Sequence, residues 1–234
     1  MANPPPSAAV LLLHGGREAG TGAPPLGPLN LPAVRMRPFR QAVTKATRPA
    51  GVLVRGVTYT CRGWNGPRED PLHDAVRALD ALRREAGEIP VVLVGHSMGA
   101  RASLRAAGHP LVRAVVGLAP WCPPEDPVAQ LADRDVVLVH STDDRVTSPR
   151  ASRVLAGRAR GAGARTCLIT VGGSDHAMLR RAPLWHELTT ALVTGLLGRT
   201  ALPDAVSEAL RLPPDADPAL GTLGVDALPR PWSS

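Results

Sequence analysis

The sequence predicts an α/β fold: a doubly wound, mostly parallel sheet of about six strands with helices on both faces. Two observations carry this. Short runs dominated by Val, Leu and Ile, at residues 9–13, 52–60, 91–94, 112–118, 136–140 and 166–171, alternate with Ala/Arg/Leu-rich stretches of helical character. Within the runs the apolar residues are near-continuous rather than alternating, as strands are when both faces of a parallel sheet are covered. Strand and helix alternating at this spacing is the pattern of doubly wound sheets.

Taken in order, the first run ends in His14-Gly15-Gly16 and is followed by an irregular stretch, 18–32, heavy in Gly and Pro. The clearest helix spans 71–86. Asp70 suits its N-cap, Pro71 the first helical position and Gly87 the C-terminal cap. Leu72, Val76, Leu79 and Leu82 form one apolar stripe along it. The strand at 91–94 runs into Gly95-His96-Ser97-Met98-Gly99 and then into a helix of small residues. From residue 198 the chain carries Pro203, Pro213, Pro214, Pro218, Pro229 and Pro231. One short helix is expected at 202–212 and an extended tail beyond it. The 234 residues are thus read as a domain at 1–199 and a Pro-rich tail at 200–234, with no internal repeat.

Composition narrows the function classes. Hydrophobic residues make 44%, charged residues 20%, and mean hydropathy is −0.01, which excludes disordered, collagenous and coiled-coil chains. No run approaches the ~18 apolar residues of a membrane span. The run at 8–13 lacks preceding basic residues, so it is not read as a signal peptide. The net charge of +7 is almost entirely arginine, with Lys45 the sole lysine. These cations are scattered, and aromatics stand at 3%, so neither a basic run nor a stacking platform for nucleic acid is present. The tail holds Arg211 and Arg230 against Asp204, Glu208, Asp215, Asp217 and Asp226, a net of −3 that leaves +10 on the domain. It is expected to lie against that basic surface. Cys61, Cys122 and Cys167 show no metal-ligand spacing and cannot all pair, so reduced thiols and a cytoplasmic location are expected.

Val91 to Ala100 is the most informative stretch: a strand, then G-x-S-x-G, then a helix. A tight strand-to-helix turn holds a serine in a strained conformation above the carboxyl edge of the sheet. A Cβ at Gly95 or Gly99 would collide with the neighbouring strand or helix. The helix aims its first N–H groups at a developing oxyanion, with that of Met98 the nearest candidate. Further on, the strand at 136–140 leads to Asp143 and Asp144, and the strand at 166–171 leads to Gly172-Gly173-Ser174-Asp175-His176. Three strand ends therefore offer serine, carboxylate and histidine in that order. His14-Gly15-Gly16 ends a fourth, where a backbone N–H can supply a second oxyanion donor.

At this point the chain resembles the α/β-hydrolase superfamily, and among it the small lidless, dienelactone-hydrolase- and esterase-like members, over residues 8–197. The resemblance implies Ser97 as nucleophile, His176 as base and Asp144 as acid, in Ser141-Thr142-Asp143-Asp144-Arg145-Val146-Thr147. It implies Gly16 with Met98 as the oxyanion hole. Ser141 departs from the glycine usual before the acid. The family's two leading antiparallel strands find no counterpart ahead of the first run, which leaves a sheet of about six. Asp143 is expected to face away and Asp175 to hydrogen-bond within its loop. Among the other histidines, His96 is expected to pack or orient and His14 to brace the oxyanion loop. His140 reads as a core histidine, and His73, His109 and His186 fall on helices or their ends. Trp121 either walls an acyl pocket or covers the core.

The function expected is a serine hydrolase cleaving small-molecule carboxylic esters or thioesters through an acyl-enzyme, with no metal, cofactor or nucleic acid required. Peptidase, lactonase, dienelactone-type or acyl-transfer chemistry on the same residues is the alternative, and a non-catalytic binding protein of this fold is another. Residues 119–134 are too few for a lid, so the site is expected to be open. Arg17 and Arg145, next to the oxyanion glycine and the acid, favour an anionic substrate at its mouth. The sequence leaves oligomeric state unread.

Overall fold

A computed structural model describes residues 5–228. Seven parallel strands make one sheet in the order β2-β1-β3-β4-β5-β6-β7: β1 (Ala8–Leu13), β2 (Val52–Gly56), β3 (Val91–His96), β4 (Val112–Leu118), β5 (Asp135–Ser141), β6 (Arg165–Val171) and β7 (Thr222–Gly224). The first six lie where the apolar runs predict them, except that β2 ends at Gly56, four residues short of the run at 52–60. Residues on β1, β3, β4 and β5 are almost all buried, since helices cover both faces. On one side α3 (Asp70–Ala86), α4 (Met98–Arg105) and α5 (Pro149–Gly161) pack Leu79, Leu82, Leu104 and Leu155 against Leu11, Leu93, Val115 and Leu138. On the other, α2 (Arg37–Thr47) and α6 (Ala182–Leu196) pack Phe39, Val43, Trp185 and Leu192 against Val10, Val92, Val116 and Ile169. A short α1 (Leu31–Arg35) precedes α2. None of the helices among the described residues is long and apolar enough to cross a membrane.

The expectation of about six strands falls short by one, and the missing strand comes from the segment read as a tail. The short helix expected at 202–212 is present as α7 (Asp204–Leu210), but the chain beyond it returns to the sheet. Thr222, Leu223 and Gly224 pair with Leu168, Ile169 and Thr170 of β6. Val206, Leu210, Val225 and Leu228 join the buried core on the α2/α6 face. Three residues with one aliphatic side chain give too little pattern to be read as a strand; the edge position and the burial of their flanks supply what their own sequence does not. Asp226 also pairs with Arg181 at 2.8 Å, one acid of the segment meeting the basic domain. Pro229, Arg230 and Pro231 lie outside the described residues.

A smaller correction concerns α3. Gly87 caps its C-terminus with φ 77°, its N–H on the Arg83 carbonyl, as expected. Asp70, however, does not cap the N-terminus. Glu69, in the left-handed region with φ 47°, is the residue that turns the chain into the helix. The Asp70 carboxylate points back instead, to Arg68 at 3.0 Å and Asn65 Nδ2 at 2.7 Å.

The sheet order fixes where chemistry can occur. From β1 the chain moves outward to β2 and then returns to β3 on the other side of β1. The carboxyl ends of β1 and β3 therefore flank the topological switch point, where open α/β sheets leave a crevice. Leu13 pairs with Gly95, so His14-Gly15-Gly16 and Ser97 emerge side by side.

Candidate active site

Ser97 sits in the turn between β3 and α4 with φ 56° and ψ −117°, a conformation that side-chain-bearing residues rarely adopt. Two glycines make the turn possible. A Cβ on Gly95 would strike the Gly99 carbonyl and Ala100, and one on Gly99 would strike the Leu13 and His14 carbonyls. The second contact draws the start of α4 against the end of β1, so the elbow and the His14-Gly15-Gly16 loop are packed as one unit. The position of a Gly15 Cβ would lie 3.5 Å from Ser97 Cβ.

The three residues expected as nucleophile, base and acid meet in one hydrogen-bonded chain. Ser97 Oγ lies 3.1 Å from His176 Nε2, and His176 Nδ1 lies 2.8 Å from Asp144 Oδ2. β5 and β6 pair to their last residues, Ser141 with Val171, which brings the two loops carrying Asp144 and His176 together. The backbone N–H groups of Val146 and Thr147 donate to Asp144 Oδ1 at 2.8 and 3.0 Å. Burial alone would raise the Asp144 carboxyl. Hydrogen bonds from His140, His176 and those two amides outweigh it and hold the group well below the usual carboxylate range. Asp143 turns the other way and accepts from Gly173 N at 2.7 Å, pinning the His176 loop from outside. Asp175 accepts from Leu179 N and Arg180 N within its own loop.

The histidine at the variable position of the motif has a definite task. His96 is buried, and its Nε2–H donates to the backbone carbonyl of His176 at 2.9 Å, with ring centroids 5.0 Å apart. Burial, then the neighbouring His176, pushes His96 down to about 3, so the ring is uncharged at working pH. His14 braces its own loop: Nδ1–H donates to the Gly15 carbonyl at 2.6 Å, and the Tyr59 hydroxyl donates to the His14 carbonyl at 3.0 Å.

Of the residues expected to line the site, Met98 is buried at the start of α4, and Gly16 is exposed above it, with no room for a Cβ beside the Met98 side chain. Arg17 bridges to Gly63 through its backbone, and its side chain is exposed. Arg145 is exposed beside Asp144. Trp121 donates its backbone N–H to the Ser97 carbonyl at 3.3 Å. Its half-buried ring stands edge-on to Trp64, and the Arg101 guanidinium covers both rings at 4.0 and 4.4 Å. A buried two-point pair to Asp126, both contacts 2.7 Å, fixes Arg101. Residues 119–134, between β4 and β5, hold only a 3-10 turn at Ala129–Leu131 and no lid.

Three residues that had no part in the expected site complete the surroundings of Asp144; His140 is buried in the core as expected, but with both ring nitrogens engaged. His140 Nε2 stands 3.1 Å from Oδ2, Ser152 Oγ stands 2.7 Å from His140 Nδ1, and Thr147 Oγ1 lies 3.0 Å from Oδ2. The signal available for His140 was a polar residue in an otherwise aliphatic strand, four positions before the acid. Among the described residues, no group of three or more His, Cys, Asp or Glu is arranged to hold a metal ion.

Similarity to known proteins bears on the fold and the family. None of the curated proteins compared matches the chain. Solved structures do match in fold. Est1E from Butyrivibrio proteoclasticus aligns with a TM-score of 0.59 at 16% identity, over 84% of this chain and 90% of its own. A putative α/β hydrolase from Agrobacterium tumefaciens gives 0.60 at 17%, over 86% and 91%. An esterase from Pyrobaculum calidifontis gives 0.61 at 13%, over 84% and 78%. At these identities the likeness establishes the fold alone. The family model of the alpha/beta hydrolases matches residues 10–232, nearly the whole length, and the chain belongs to the alpha/beta hydrolase family.

Proposed function

We propose that this α/β hydrolase cleaves carboxylic esters or thioesters through an acyl-enzyme on Ser97. The observation that carries the reading is the unbroken chain Ser97–His176–Asp144, at 3.1 and 2.8 Å, on a strained elbow. Ser97 Oγ attacks the acyl carbon while its proton passes to His176 Nε2. The oxyanion is held by the N–H groups of Gly16 and Met98. Collapse expels the alcohol or thiol, which takes the proton from His176. Water then repeats the sequence and releases the acid. Asp144 keeps His176 protonated on Nδ1, so that Nε2 is free to accept. The names of the esterases that share the fold favour esters over peptides.

An open mouth and its cations suggest the substrate's charge. No carboxylate occurs between Glu18 and Glu69. Arg17 stands beside Gly16, and Arg37 and Arg40 line a cleft of about 290 Å³ beyond His14. Arg17 is assigned to contact an anionic part of the substrate, and Trp121 to border the acyl group.

The test is labelling with a fluorophosphonate, which reacts with activated serines. Wild-type protein is expected to label and Ser97→Ala to lose all labelling. Undiminished labelling of Ser97→Ala, or an inert wild type, contradicts the reading. Turnover of an ester panel graded by chain length and acyl charge then assigns the substrate class.

A further inference from the structure

The carboxylate of Asp144 serves two imidazoles. His176 reaches Oδ2 at 2.8 Å from the loop after β6, and His140 reaches the same oxygen at 3.1 Å from the end of β5. His140 has no exposed surface. A carboxylate oxygen only accepts, so His140 carries its proton on Nε2, and Nδ1 accepts from the hydroxyl of Ser152 on the first turn of α5, at 2.7 Å. Behind it, Cys122 lies 3.9 Å from Ser152 Oγ; burial pushes this thiol up to about 12, so it keeps its proton. Ser152, His140, Asp144, His176 and Ser97 thus form one hydrogen-bonded line, nearly symmetric about the carboxylate. A serine hydroxyl stands at each end, and the Ser152 end is sealed in the core. A buried polar line of this kind is worth its desolvation only when every donor and acceptor is matched, and here both nitrogens of His140 are.

We propose that His140, locked by Ser152, is a positioning residue for the reaction: it fixes the direction of Asp144 Oδ2 and, by drawing on that oxygen, tempers the carboxylate's hold on the His176 imidazolium. The inference rests on the reading of Ser97, Asp144 and His176 as a triad. Without the His140 N–H, more of the charge on Oδ2 faces His176, which favours the protonated ring and so removes free base at higher pH. Several other groups face this unit. His96 faces His176 from the elbow, with the charge of Arg35 bearing on it in turn. Cys122 faces Ser152, Asp143 is turned to Gly173, and Thr147 Oγ1 lies beside Oδ2. Thr147 Oγ1 also lies 3.3 Å from His140 Nε2 and 3.2 Å from His176 Nδ1, in contact with both rings.

The rate of fluorophosphonate labelling across about pH 5 to 9 reads the fraction of free base without knowledge of the physiological substrate. His140→Phe is expected to move the acid limb upward by about half to one pH unit and to lower the plateau rate. His140→Gln, whose amide Nε2 can stand where the imidazole N–H stood, should bring the limb back towards wild type. Ser152→Ala, which keeps the ring and loses its lock, should move the limb the same way by less. A limb that stays in place in folded His140→Phe and Ser152→Ala proteins that still label overturns the inference alone. If His140→Phe does not fold, Ser152→Ala decides: an upward shift supports the proposal and an unmoved limb overturns it. A wild type that does not label overturns the hydrolase reading and this inference with it.

Discussion

Asp144→Asn is expected to lower kcat by about four orders of magnitude, the effect of presenting the base in the wrong tautomer. The geometry makes the reason specific. Oδ1 accepts from two backbone amides, Val146 and Thr147, so the oxygen of an asparagine is drawn to that side. Its NH₂ group must then take the place of Oδ2 and face the N–H groups of both His176 and His140. Donor meets donor. His176 relieves the clash by moving its proton to Nε2, where it points at Ser97 Oγ and cannot take the serine's proton. Asp143→Asn provides the contrast, because an asparagine oxygen can still accept from Gly173 N–H on the exposed side of the loop. Its rate should stay within about tenfold of wild type. Steady-state rates on any ester that the wild type hydrolyses separate the two; equal losses would remove Asp144 from its role.

Truncation after Gly198 has an effect of comparable size on stability. It strips β7 from the edge of the sheet, leaving Leu168, Ile169 and Thr170 without partners on that side, and removes Val206, Leu210, Val225 and Leu228 from the core. Fully burying a side chain of this kind contributes about 1.5–3 kcal/mol. Four of them rival the ~5–15 kcal/mol by which a whole domain is stable. The truncated protein should unfold at much lower urea than the full chain, or fail to accumulate as a folded species. A cooperative transition at the wild-type midpoint would contradict this and restore the segment to a loosely docked tail.

The contrast between what could and could not be read from the sequence follows from range. The inner strands announce themselves because each must bury two faces, which forces aliphatic residues onto consecutive positions; β2, an edge strand that is at most half-buried, shows the pattern only over Val52, Leu53 and Val54. The order Ser97, Asp144, His176 is legible because each follows such a strand, and parallel strands deliver all their carboxyl ends to one edge. β7 is not legible, since Thr222-Leu223-Gly224 carries no pattern and exists through pairing with residues some 54 positions earlier. The roles of His140 and Ser152 are hidden for the same reason. A histidine in a buried strand looks like core until the α5 serine and the acid are seen on its two nitrogens. His96 can be expected to orient something, but its acceptor, the His176 carbonyl, lies eighty residues away. The Asp70 cap fails on a local matter: a better partner, Arg68, is two residues upstream.

The central claim, that Ser97 carries the acyl group, is tested most directly by mass spectrometry of the protein quenched during turnover of an activated ester such as p-nitrophenyl acetate. The account predicts one acetyl group per chain, on the peptide containing Ser97, appearing with the burst of product and decaying at the steady-state rate. An adduct on another residue, or turnover that survives in Ser97→Ala with no acylated species, would contradict it.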